Sequence, residues 1–357
     1  MLDSVAIRRE FPHLANNVYL NTASAGLSWA GQAAAAAQFY HDKSGGIAQH
    51  DDWIRKAEET RAQLGRLLGV PAEHVHFTSS TTEALNLVAL AMPLAQGDCV
   101  VVADDEFPSV IAPWAGLHRS GVRVHKVHVR FESERTKALS AAISANTRVL
   151  AVSHVHWRTG TRVDLDELRV ACARHDCRLV VDGVQAAGAI AVNAKDTDAY
   201  CASVFKWLLS GFGLGFMVLN DRLSAELTPV FRGYSNMTPS RSMRYGHQNY
   251  PGIYALHATL EYLESIGWPD IFGQVERLAG RLAVSLREQG FDLVTPEDAR
   301  AGIVSIRHPD VQKVVESLAA EAICVEDGAP YLRISPHFYN TDDDIDRFIH
   351  ALVRNSQ

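Results

Sequence analysis

The sequence predicts an α/β protein with a large domain, built on a mostly parallel sheet flanked by helices, and a smaller C-terminal α+β domain. Three observations carry that expectation. Short Val-rich apolar runs alternate with segments of helical spacing over the first two thirds of the chain. From about Pro251 the texture changes to longer amphipathic helices followed by short strands. The length of 357 residues, 47% of them hydrophobic, suits one large and one small globular unit.

Taken in order, the Ala-rich stretch from Gly31 is helical in composition, and HFTSSTTEALNLVALAM passes from a strand directly into a helix near Thr82. CVVVAD from Cys99, RVLAVSH from Arg148 and RLVVDG from Arg178 are continuous apolar runs of strand length, as strands covered on both faces are. DLDELRVACARH after Val163 supplies a helix between two of them. This strand-helix-strand order makes a parallel sheet, and ligands collect at the C-terminal ends of its strands. Asn220 to Tyr250 has little periodicity and is rich in Arg, Ser, Tyr and Met, as a connector or active-site loop is. GIYALHATLEYLESIG and QVERLAGRLAVSLREQG then read as helices, and GIVSIRH and YLRISPH as strands. The expected boundaries are 17–235 for the large domain, 1–16 with 250–357 for the small one, and 236–249 for a connector or active-site loop.

Composition narrows the function classes. The net charge of -7 is spread along the chain without a Lys/Arg block, so neither nucleic acid nor membrane is an expected partner. The amino terminus MLDSVAIRREFPHL is charged through its first ten residues, unlike a secretory leader, and the longest apolar segments are too short or too Gly-rich to cross a bilayer. Cys99, Cys172, Cys177, Cys201 and Cys324 lack zinc-site spacing and read as reduced thiols, which implies a cytoplasmic location and no metal.

The chemistry concentrates between Leu179 and Met217. Asp182 ends an apolar run, and Lys206 is embedded among Phe205, Trp207, Leu208 and Leu209. An Asp after a strand is often a helix N-cap, and a lone Lys is usually solvated. Here the apolar flanks disfavour the ammonium and lower its pKa. A carboxylate that keeps a pyridine nitrogen protonated and a lysine that forms a Schiff base are the pair that pyridoxal 5'-phosphate (PLP) requires. Ser79, Ser80, Thr81 and Thr82 open a helix, where one hydroxyl caps and the others, with the helix N-terminus, suit a phosphate.

Eight segments in register, YLNTASAG, FTSSTTEALNLVA, DEFPSVIAPW, VSHVHWRTGTRVDLDEL, VVDGVQAAG, SVFKWLLSGFGLGF, GHQNYPGIYAL and YLRISPHFYNT, resemble the class V aminotransferase group of fold-type I PLP enzymes. That group also contains cysteine desulfurases, selenocysteine lyases, kynureninases and isopenicillin N epimerase-like proteins. The resemblance implies that Lys206 is the Schiff-base lysine and Asp182 the partner of the pyridine nitrogen. It also implies that Gln185 bonds the cofactor's phenolic oxygen, that Phe107 stacks on the ring, and that Thr81, Thr82 and Ser203 hold the phosphate. Arg333 would grip a substrate carboxylate, and His154 would lie over the cofactor as a proton shuttle. The residue-level alternatives are a core Phe107, a capping Ser203, a surface Arg333 and a structural His154.

Departures from the group's pattern are informative. Phe205 stands where many relatives carry a phosphate-contacting His. His247 stands where relatives have a Thr that reaches a neighbouring subunit's phosphate, and it serves either that role or a turn. Trp157 replaces a small polar residue. The short stretch ICVEDGAPYLRIS lacks the mobile Cys-bearing loop of cysteine desulfurases, which argues against persulfide transfer through Cys324. The expected protein is a homodimeric PLP enzyme acting on an amino acid or small amine, with transamination placed ahead of β-elimination (a carbon-sulfur or selenocysteine lyase) and epimerisation. The non-enzyme alternative is a catalytically silent protein of the same fold.

Overall fold

A computed structural model describes residues 2–237 and 242–356. After a short helix, Ser4–Arg9, and a 3-10 turn, Pro12–Ala15, the first strand is the two-residue β1 (Val18–Tyr19). Seven strands then build the large sheet: β2 (Val75–Thr78), β3 (Cys99–Ala103), β4 (Arg123–Val127), β5 (Thr147–Ser153), β6 (Arg178–Asp182), β7 (Ala199–Ser203) and β8 (Gly215–Leu219). Their order is β2-β8-β7-β6-β5-β3-β4. β8 is antiparallel to both its neighbours, and the remaining pairings are parallel. β3, β6, β7 and β8 are buried along their whole length, which is why the sequence shows continuous apolar runs there. The three Val-rich runs and the helices Gln32–Lys43, Thr81–Ala91 and Leu165–Arg174 fall where the sequence placed them.

The alternation of side chains gives this sheet two distinct faces. Val149, Ala151, Val180, Ala199 and Cys201 pack with the Thr81–Ala91 helix in one core. Leu150, Val152, Leu179, Val181 and Tyr200 pack on the other side with Phe39, Trp53, Leu64 and residues of the Tyr250–Ile266 helix.

The last strands are β9 (Asp292–Leu293), β10 (Val304–Arg307), β11 (Ile323–Cys324), β12 (Glu326–Gly328) and β13 (Tyr331–Ile334). β12, β13, β10 and β9 form an antiparallel sheet, covered by the helices Trp268–Glu288 and Asp342–Asn355 through Leu278, Leu282, Phe348 and Leu352. The chain divides differently from the expected boundaries. The Tyr250–Ile266 helix shares the large domain's core, because its apolar face covers the sheet beside the Gln32–Lys43 and His50–Leu68 helices. Val18 and Leu20 join the small domain's core, since β1 pairs with β11. Of the expected connector, 236–249, residues 238–241 lie outside the described residues. The described part of the Asn220 to Tyr250 stretch also holds the short helix Asp221–Glu226. Among the described residues no helix is long and apolar enough to cross a membrane.

Candidate active site

The parallel strands end on one edge of the large sheet, and the candidate residues follow them there: Thr81 after β2, Phe107 after β3, Ser153 and Asp182 closing β5 and β6, and Ser203 closing β7 with Lys206 in the next turn. Ser153, Asp182 and Cys201 are direct partners across β5, β6 and β7, so their side chains share one face. The opposite face is closed at Gly183, where a Cβ would meet the Tyr200 ring at 2.0 Å.

Asp182 is buried, and its Oδ1 accepts from the Val184 N–H at 2.9 Å. Burial pushes its carboxyl up to about 7; the Val184 bond and the charge of Lys206 oppose that rise, and Glu106 adds to it. Burial likewise draws Lys206 down to about 8, with Asp182 pulling it up and Arg333 pushing it further down. Each group is thus held near the point where it exchanges a proton at neutral pH. The turn carrying Lys206 is pinned from outside: Gly26 N–H donates to the Phe205 carbonyl at 2.9 Å, and a Cβ at Gly26 would stand 2.1 Å from the Lys206 carbonyl oxygen. Only glycine allows that approach.

Phe107 is 40% exposed, which removes the reading of it as core. Its ring centroid lies 6.0 Å from Lys206 Nζ, and Trp157 meets the ring edge-on at 5.5 Å, so a ring face remains for stacking. Gln185 is held from two sides, donating from Nε2 to the Ala23 carbonyl at 3.0 Å and accepting from Trp207 Nε1 at 2.8 Å. The second Nε2 hydrogen is not used by these bonds.

At the helix N-terminus Ser80 is the N-cap, accepting from Glu83 N–H. Thr81 and Ser203 bond to each other: Ser203 N–H donates to Thr81 Oγ1 at 2.7 Å, Thr81 N–H donates to Ser203 Oγ at 2.8 Å, and the two hydroxyls stand 2.9 Å apart. Of their two hydroxyl hydrogens one lies in that contact and the other remains to be donated. Thr82 Oγ1 is 2.7 Å from Ser109 Oγ, a hydroxyl the sequence reading did not single out although it lies in DEFPSVIAPW. Phe205 stacks on Phe212 at 4.3 Å and offers no phosphate ligand.

Arg333, in the middle of β13, is buried rather than on the surface. Nη1 donates to the Trp157 carbonyl at 2.8 Å and Nη2 to Ser24 Oγ at 2.5 Å, while Nε is buried without a partner. Burial lowers its pKa. Ser24 and Glu326 were not anticipated. Ser24 lies in YLNTASAG and was detectable there, whereas nothing in the sequence distinguished Glu326.

His154 does not join this group. One residue past Ser153, it points through the opposite face, where Nδ1 stands 3.3 Å from the Tyr200 hydroxyl. Burial lowers its pKa to about 3, so the ring is neutral at physiological pH and is packed as a structural residue. This corrects its expected position over the cofactor. His247 is exposed beside Tyr234 and lines a separate cavity of about 260 Å³ with Ser79, Glu83, Gly213 and Tyr245. Cys324 sits on β11, paired to Tyr19 of β1, with its thiol pushed up by burial.

Asp105, Glu132 and His156 bring potential metal ligands within 4.8 Å of one another. A cation is already supplied: Arg135 donates to Asp105 at 3.0 and 2.6 Å and to Glu132 at 3.1 and 2.9 Å.

These residues fit PLP. Asp182 and Lys206 sense each other's charge without an ion pair, the exposed Phe107 ring stands beside them, and hydroxyl donors gather at a helix N-terminus.

The aminotransferase class-V family model matches residues 18–348. The cysteine desulfurases of Salmonella gallinarum (strain 287/91 / NCTC 13346) and Salmonella typhi are 28% identical over 334 residues, covering 83% of this chain and 82% of theirs. The apo structure of cysteine desulfurase from Thermococcus onnurineus NA1 superposes with a TM-score of 0.90 at 23% identity, covering 100% of this chain and 98% of that one. The complex of the cystine C-S lyase C-DES with its reaction product cysteine persulfide superposes with a TM-score of 0.89 at 21% identity, covering 96% and 99%. At these identities the structural likeness establishes the fold.

Proposed function

The chain belongs to the class-V aminotransferase family, and from that premise we propose that it is a PLP-dependent enzyme acting on the amino group of an amino acid or small amine. The observation that carries this reading is the Lys206 amine, drawn down to about 8 by burial and facing a buried Asp182 and an exposed Phe107 ring. When bound, PLP supplies an electron-withdrawing ring that takes up the negative charge left at a substrate α-carbon.

The chain's own groups do the rest. Lys206 is partly neutral at physiological pH, so its Nζ serves as nucleophile and, once released, as proton carrier. Asp182 would keep the ring nitrogen protonated, and Phe107 would lie against the ring. Thr82, Ser109 and the Thr81–Ser203 pair would hold the phosphate end, and Gln185 would donate its remaining hydrogen to the phenolic oxygen. Arg333 receives the carboxylate of an amino acid substrate through its unpartnered Nε.

A second reading, β-elimination, is favoured by the names of the 28% identical relatives, which are cysteine desulfurases. Relay of sulfur through a protein thiol is disfavoured, because Cys324 is fixed in a strand pair and burial raises its pKa. Elimination needs no such thiol.

We further infer a homodimer in the cytoplasm. Phe212, Phe231, Tyr234 and Met237 are large apolar side chains exposed in the chain, and His247 is exposed beside Tyr234, from where it would reach a neighbouring subunit's phosphate. Sedimentation decides the dimer, and an active monomer would refute it.

The test is an absorbance spectrum of the protein with PLP, repeated for Lys206→Ala and followed with amino acids and cysteine conjugates. A visible cofactor band that the variant lacks supports the reading. Accumulation of pyridoxamine phosphate then means transamination, whereas pyruvate and ammonia with the band retained mean β-elimination. A wild-type protein without any band overturns the proposal.

A further inference from the structure

Arg333 already faces a carboxylate of its own chain. Glu326 Oε2 lies 3.9 Å from Arg333 Nη2, and two donors hold it there: Asn21 Nδ2 at 2.8 Å and Ser24 Oγ at 2.7 Å. Ser24 is the same hydroxyl that accepts from Arg333 Nη2. The carboxylate is therefore placed beside the guanidinium without a close ion pair to it. It is partly exposed, 37% of its side chain, and its charge is felt at Lys206.

A substrate α-carboxylate that bonds Arg333 is brought close to Glu326, and although the charge of Arg158 is also felt at that guanidinium, like charges at short range in a partly desolvated site repel. An amine without a carboxylate meets no such penalty, because Glu326 already balances the buried guanidinium. We propose that Glu326 is a specificity-determining residue, an internal carboxylate beside Arg333 that weakens the grip on α-amino acids and admits primary amines lacking a carboxylate. This rests on the reading of the protein as a PLP enzyme with Arg333 as its carboxylate-binding group.

Glutamine tests the charge alone, since its carbonyl oxygen still accepts from Asn21 and Ser24. The holoenzymes of the wild type and Glu326→Gln are compared on matched pairs, L-alanine with ethylamine and L-phenylalanine with phenethylamine, as the ratio of kcat/KM for acid over amine. The expected result is a ratio roughly tenfold higher in Glu326→Gln, carried by a lower KM for the amino acid. Propionate should bind the variant holoenzyme tighter by a similar factor in calorimetry. Glu326→Asp, which keeps the charge, should stay nearer the wild type in both measurements. An unchanged ratio with unchanged propionate affinity, or weaker propionate binding in Glu326→Gln, overturns the inference. A wild type without a cofactor band would instead remove the functional reading, and the propionate titration would still decide what Glu326 does to Arg333.

Discussion

Arg135 and Arg333 are both buried arginines that approach the 156–161 segment, and their surroundings are opposites. Arg135 makes four hydrogen bonds to Asp105 and Glu132, and Glu132 also accepts from the hydroxyls of Thr159 and Thr161. Burial alone would lower its pKa, but the bonds to Asp105 and Glu132 outweigh that and raise it. Arg333 has one carbonyl, one hydroxyl, a carboxylate at 3.9 Å and an orphaned Nε, and burial prevails. A buried charge with every donor nitrogen engaged by a carboxylate is scaffold. One left partly unsatisfied stores a desolvation cost that a ligand can relieve, and it therefore marks a binding position.

The largest effect that would break this contrast is on stability. Arg135→Met leaves Asp105 and Glu132 facing each other without a cation and should cost about 3 kcal/mol in denaturant unfolding, at the low end for a broken buried pair because Asp105 is a third exposed. If stability is unchanged, the two arginines are not different in kind. Arg333→Met should do the reverse, lowering kcat/KM for amino acids about a hundredfold through KM, with unfolding free energy unchanged or raised. A stability loss with KM intact would make Arg333 structural.

A smaller effect concerns pH. The amine of Lys206 is freed as pH rises through about 8, so the rate of PLP association with the apoprotein should rise with pH and level off above that point. Because the charge of Arg333 holds Lys206 down, the midpoint should move upward in Arg333→Met and stay in place in Arg135→Lys. Equal shifts in both variants would refute that assignment.

The smallest effect is expected at His154. His154→Phe should change kcat/KM by less than about threefold, since the ring lies behind the sheet. Its folded pKa of about 3 is below the ordinary 6.5. Its contribution to stability is therefore full above pH 6.5 and is lost as pH falls toward 3. His337, lowered by burial to about 4, acts in the same sense, whereas the raised Asp182 opposes them, its penalty growing as pH climbs from 3.8 toward 7. His154→Phe should flatten the acid side of a melting-temperature profile. A large loss of activity would return His154 to the site.

Much of the large domain was legible because strands buried on both faces leave uninterrupted apolar runs, and because Asp182 and Lys206 stand out against such runs. The domain boundary was less legible. Whether the Tyr250–Ile266 helix covers the large or the small sheet depends on which surface needs its apolar face, and its periodicity is the same in either case. His154 was misplaced for a related reason. In RVLAVSH both faces are apolar, so nothing in the sequence tells whether Ser153 or His154 shares a side with Asp182, and a shift of one residue exchanges the faces.

The sequence by itself determined the order of strands and helices and the family, and it singled out Lys206, Asp182 and Arg333 as candidates. Chemistry of that kind is carried by residue type within a local pattern. Only the tertiary structure decided that Thr81 and Ser203 share their hydrogen bonds, that Arg135 is satisfied and Arg333 is not, and that Glu326 stands beside the latter. Hydrogen-bond satisfaction depends on which groups meet at about 3 Å, and residues 24, 157, 326 and 333 meet through folding rather than through adjacency in the chain.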